Sequence, residues 1–284
     1  MNLKLTMIAL KLVSTLLIFG MQPSYHALVT ALQTAPQNEL NSTVKQWQQE
    51  LAKQEGFEAW KNATVSIGAL GPGTHGWLVL VKNGQDVVGY MIVHATEDGS
   101  YVLGEYGVGD LQLLAENSNS LLYFGPFHAV IAVEHSDERS YIEPFMQEQF
   151  PIMKSHIIGQ ASQPHVKAEY DCVTSNSPAL LTAALTRDYF SPYKVMPWLT
   201  GEALNKRLID DYSIETSIEL GSELRYTTES WNEIVFAAYS ITGYHEWNER
   251  QLYIALQDDN GELVRYIAYD LLMDEGYFYE PTLY

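Results

Sequence analysis

Residues 76–95 read GWLVLVKNGQDVVGYMIVHA, and this stretch decides the fold. Gly76–Lys82 and Asp86–Ala95 are rich in β-branched and aromatic residues, and Asn83-Gly84 between them is a strong tight-turn signal. A β-hairpin is therefore expected here, and the surrounding chain is organised around it. Upstream, Thr64–Leu70 reads as another strand. Before that, Leu40, Val44, Trp47 and Leu51 recur at helical spacing with Gly56 beyond them, which predicts an amphipathic helix over 38–55.

Downstream, Glu97-Asp98-Gly99 turns the chain into a strand at Ser100–Glu105. Phe127–Glu134 and Arg139–Glu143 form a further hairpin across His135-Ser136-Asp137-Glu138. One helix and about six antiparallel strands make an α+β module over 38–151. Residues 152–168 read as a linker, and 169–284 as a second α+β module. In it, Ser177–Arg187 (SPALLTAALTR) has a capping serine before proline and predicts a helix. Gly201–Tyr212 predicts a second helix. Ile234–Gly243, Gln251–Gln257 and Glu262–Tyr269 follow as strands, the last two joined by Asp258-Asp259-Asn260-Gly261.

Residues 1–27 have the anatomy of an export signal, with Lys4 and Lys11 ahead of the apolar run Leu12–Met21 and a break at Gln22-Pro23-Ser24. Cleavage after Ala27 would leave Tyr25 at an unusually large −3 position, so a retained N-terminal anchor is the alternative. Residues 28–37 read as a tether. The expected location is extracellular or in the cell envelope. The formal net charge is −19, which argues against phosphate-backbone binding, because nucleic-acid affinity rests on Lys and Arg. Cationic peptides and neutral sugars are compatible with it. Cys172 is the single cysteine, so no intramolecular disulfide and no multi-cysteine zinc site is available.

Cys172, His245 and Asp258 are the one set able to make a thiol nucleophile, its base and an orienting carboxylate. Asp171 beside the thiol opposes activation. The glycine-rich run 68–76 (GALGPGTHG) lacks the lysine ending of a phosphate loop. His75, His94 and His128 read as ordinary strand or loop histidines, the 258–262 run reads as a turn rather than a calcium loop, and no metal or cofactor is expected. Glu219–Glu229 and Asp270–Glu280 are carboxylate-rich segments that could supply an acid–base pair for glycoside cleavage. Trp231, Tyr244 and Trp247 are candidate ligand-binding aromatics, with Tyr277 and Tyr279 beside them. A row of exposed aromatics on one face would suit a carbohydrate binder.

Gly76–Gly107 resembles the small helix-plus-sheet propeptide domains of secreted bacterial peptidases, of the PepSY and streptopain-propeptide type, which implies an inhibitory or folding-assisting module. Phe236–Asp258 is similar to the histidine-bearing hairpin of papain-like peptidases that process bacteriocin leaders, and Asn176-Ser177-Pro178-Ala179 to the opening of their active-site helix. That resemblance puts Asn176 at the nucleophile and Ala237 at the histidine, which implies a degenerate, non-catalytic domain. The whole chain is similar to secreted proteins of spore-forming Gram-positive bacteria. The expectation is thus an exported non-catalytic protein binding an extended peptide, a protein or a cell-wall component, with no membrane partner beyond the possible anchor. The alternative is a cysteine peptidase built on Cys172, His245 and Asp258 and regulated by its N-terminal module.

Overall fold

The structure, a computed structural model, describes residues 38–70, 75–135, 138–152, 154–160, 170–204 and 211–281. The export segment, the tether, most of the linker and half of the helix expected at Gly201–Tyr212 lie outside these residues. The chain divides into two compact units, residues 1–45 and 46–284. In the first unit the described residues are helical, the opening turns of α1 (residues 38–51). The four apolar positions that predicted this helix are all buried. It ends before Gly56, whose φ of +84° suits a residue without a Cβ.

The second unit is α+β and dominated by antiparallel strands. Its large sheet has ten strands. These are β1 (Thr64–Ala69), β2 (Gly76–Asn83), β3 (Asp86–Ala95), β4 (Tyr101–Gly109), β9 (Leu181–Thr186), β10 (Arg225–Ser230), β11 (Val235–Trp247), β12 (Gln251–Gln257), β13 (Leu263–Ala268) and β14 (Gly276–Tyr279). Their spatial order is β1-β2-β3-β4-β13-β12-β11-β10-β14, with β9 pairing β11 as a branch. The expected hairpin is present: Asn83 pairs with Asp86, and Gly84 turns at a φ of +68°.

A four-stranded sheet follows the order β5 (Leu121–Tyr123), β6 (Ala129–His135), β7 (Glu138–Glu143) and β8 (Glu148–Phe150). The described residues also hold four short 3-10 helices and four short α-helices, α2 (Gln112–Glu116), α3 (Lys154–Gln160), α4 (Asp211–Glu219) and α5 (Tyr269–Glu275). α3 lies inside the stretch expected as a linker.

Two features differ from the sequence reading. The segments 38–151 and 169–284 share one sheet, because β4 pairs with β13 from Leu263↔Gly109 to Ile267↔Glu105. A hydrogen-bonded ladder runs where two separate modules were expected. Residues 181–186, expected in a helix, form β9 instead. Leu181, Ala183 and Leu185 alternate with more exposed neighbours, and pairing with β11 overrides the helix propensity of the alanines and leucines.

The large sheet is covered on both faces. Leu78, Leu80, Tyr90 and Ile92 pack with Tyr123, Ala129 and Ile131 of the small sheet. On the opposite face of β3, Trp60 lies so close to Gly89 that a Cβ there would sit 2.3 Å from its ring. The outer face of the small sheet is closed by Ile157 of α3 together with Trp231 and Val235.

Candidate functional site

The bridge Val102↔Thr174, with Leu103 N–H donating to Val173 O at 2.9 Å, draws the segment carrying Cys172 against the start of β4. There the thiol is buried beside Tyr253, whose hydroxyl accepts the Val173 N–H at 3.1 Å. Burial, reinforced by the Asp270 and Asp171 carboxylates, pushes the Cys172 thiol up to about 12. That direction is opposite to the lowered pKa of an activated cysteine.

His245 lies on β11 opposite Tyr253. Only 1% of it is exposed; its ring stacks on Tyr266 at 4.0 Å, and Nδ1 shares a 2.9 Å hydrogen bond with the Tyr106 hydroxyl. Burial lowers its pKa to about 3, so the imidazole is neutral. Asp258 directly follows β12, five residues past Tyr253, which places it on the order of 17 Å further along the chain. Its Oδ1 accepts the N–H groups of Asn260 and Gly261 at 3.1 and 3.0 Å and so shapes the turn into β13. The three groups proposed as a triad therefore serve three different structural ends, and among the described residues no hydrogen bond joins thiol to imidazole.

The positions carried over from the papain-like resemblance do not form a site either. Asn176 donates to Asp98 Oδ2 at 3.3 Å on the surface, whereas Ala237 is buried in β11 opposite Thr228. The strand β9 stands where the active-site helix was expected.

Of the candidate ligand-binding aromatics, Tyr277 is exposed and Tyr279 half-buried, while three are core residues. Trp231, Tyr244 and Trp247 are at most 3% exposed. Trp247 Nε1 donates to Tyr106 Oη at 3.1 Å, and Tyr244 Oη donates to Glu219 Oε1 at 2.9 Å. Trp231 starts the β10–β11 turn with Asn232 and Glu233, all three left-handed at φ 57°, 59° and 64°. Its N–H donates to His128 Nε2 at 3.2 Å. Among the described residues no three His, Cys, Asp or Glu side chains gather as metal ligands.

Two arrangements escaped the sequence reading. The first is a buried charge cluster between the sheets. Arg265 Nη2 donates to Glu105 Oε2 at 2.7 Å and to Pro126 O at 2.6 Å, and its guanidinium lies 4.1 Å from the Phe145 ring centroid. Burial opposes the Arg265 charge, but Glu105, Tyr90 and Glu143 outweigh it and hold its pKa well above the usual value. Glu143 is the second acid. Its Oε2 accepts the N–H groups of Phe145 and Met146, while Oε1 has no hydrogen-bond partner among the described residues. It borders a cavity of about 10 Å³ shared with Thr228, Ser230 and Tyr239, enough for one water. Burial raises its carboxyl to about 7. Isolated charges inside the apolar strands ELVRYIAY and YVLGEYGVG were the only sequence signal of this cluster.

The second is the edge of β9. Gly243 pairs with Thr186 and His245 with Ala184, and the neighbouring Arg187 N–H donates inward to Thr242 O at 2.7 Å. By antiparallel alternation, the backbone N–H and C=O groups of Ala184 and Thr186 point away from β11. Among the described residues no strand pairs with them on that side. The strand LTAALT carries no charge and no proline, the devices that usually protect an edge, and its period-2 pattern was the overlooked signal.

A separate surface exposes Tyr193, Phe236 and Leu199 around Trp198. The Trp198 ring meets Tyr193 at 87° and Phe236 at 48°. These rings pack against one another rather than lying coplanar. No protein-family model, curated protein or solved structure matches the chain.

Proposed function

We propose that this chain is an exported, non-catalytic protein that binds an extended peptide by strand addition along β9. The observation that carries this reading is the open, uncharged edge at Ala184 and Thr186. Such an edge offers a ladder of unmade backbone hydrogen bonds, and an incoming strand satisfies them while side-chain contacts add selectivity. The burial of Cys172 and the neutral, sequestered His245 support a binding role over peptide hydrolysis. The inclined rings around Trp198 favour a peptide over a cell-wall glycan, which stacks best on exposed ring faces.

Hydrogen exchange tests this. In the free protein the amides of Ala184 and Thr186 exchange faster than those of Ala183 and Leu185. Short peptides alternating threonine with lysine, glutamine or glutamate form the probe panel. At least one slows exchange at Ala184 and Thr186 in the native chain and fails to bind Ala184→Pro. That variant removes an outward N–H without breaking the β11 ladder, so its thermal unfolding stays close to that of the parent. If no peptide in the panel changes exchange along β9, the strand-addition reading is wrong.

A further inference from the structure

Resting on the strand-addition reading, we infer that the peptide taken up along β9 is cationic. The strand is neutral, but carboxylates bracket it. At its start Glu50 Oε1 accepts the Leu181 N–H at 3.3 Å, and Glu246 Oε2 lies 3.4 Å from Thr182 Oγ1. The same Thr182 hydroxyl accepts the Glu249 N–H at 2.9 Å, which holds the backbone of the exposed Glu249 at the start of β9. Past its end comes Asp188, also exposed.

Among the described residues, Arg187, Arg250 and Lys53 are engaged elsewhere. Arg187 donates to the Ile218 and Glu219 carbonyls at the end of α4, a favourable place for a cation. Arg250 pairs with Asp171, and Lys53 pairs with Glu50. Glu246 and Glu249 at the start of β9, on its β11 side, and Asp188 past its end thus surround the strand with negative charge. A lysine- or arginine-bearing strand matches them. A second copy of this chain, which would bring its own acidic flanks and a net charge of −19, is repelled.

Fluorescence anisotropy with the three alternating peptides separates this inference from the reading beneath it. The lysine peptide is expected to bind at least about tenfold more tightly than the glutamine peptide, and the glutamate peptide weakest of all. Raising salt to about 0.5 M should collapse that preference, because exposed charges are screened within a few ångströms there. Glu246→Gln with Glu249→Gln should weaken the lysine peptide about threefold or more and leave the glutamine peptide unchanged.

If the glutamine peptide binds as tightly as the lysine peptide and both are lost in Ala184→Pro, the charge inference fails while strand addition stands. If the lysine peptide binds Ala184→Pro as well as the parent, its attraction is diffuse and both ideas fail. A concentration-dependent dimer that Ala184→Pro abolishes would replace the peptide by a second copy.

Discussion

Glu143→Gln makes the sharpest test of the buried charge cluster. The carboxyl rises from 4.5 to about 7 on folding, chiefly through burial. Between those two values the folded state keeps a proton that the unfolded chain has released. Stability from this group is therefore full below about pH 4.5 and is lost as pH rises towards 7. The difference between 4.5 and about 7, at about 1.4 kcal/mol per pH unit, is worth about 3.5 kcal/mol, most of it lost between pH 5 and 8. Glutamine imitates the protonated acid: its carbonyl can take the Phe145 and Met146 N–H groups, and its amide faces the oxygens of the cavity. Urea unfolding of parent and variant at pH 5 and pH 8 is the assay. Every other titrating group is common to both proteins, so the change in their stability difference isolates Glu143. The variant should gain about 2–3 kcal/mol on the parent between the two pH values. Stability curves that stay parallel within about 0.5 kcal/mol would refute a carboxyl displaced by burial.

The sign is opposite at His245. Its pKa falls from 6.5 to about 3 through burial, so it supports the fold above about pH 6.5 and that support is lost as pH falls towards 3. His245→Phe keeps the stack on Tyr266 and should shift the midpoint of acid unfolding to lower pH; circular dichroism during acid titration measures it, and an unchanged midpoint rejects the assignment. For Cys172, with its thiol pushed up to about 12, alkylation by iodoacetamide at neutral pH should run much more slowly in the native protein than after unfolding. A faster native rate would restore the peptidase alternative.

What could be read from sequence was local. β3 and β12 occupy the residues expected of them, because a continuous apolar run bounded by turn residues has few other ways to fold. β9 was misread because serine-proline followed by leucines and alanines is a sound helix start, and only the β11 ladder makes a strand of it. The candidate triad failed for a related reason: Cys172, His245 and Asp258 have suitable chemistry, but strand register decides which of them meet. The Glu105–Arg265 pair joins residues 160 apart, and no spacing rule links them. The same distance explains why the chain reads as two modules. Nothing in the residues of β4 announces β13 as its neighbour.

That pairing also orders events during synthesis. When residues 64–109 have emerged, four strands can already form antiparallel hairpins, yet the far side of β4 at Glu105–Gly109 has no partner until Leu263–Ala268 follow. While residues 110–262 are made, the chain carries a strand edge that β13 covers in the folded sheet. Long-range closure of this kind is slow and prone to mispairing. A chain cut short before Leu263 keeps the hairpins but not the lock, and Glu105 loses its guanidinium. The docking of β13 thus acts as the commitment step for the first strands.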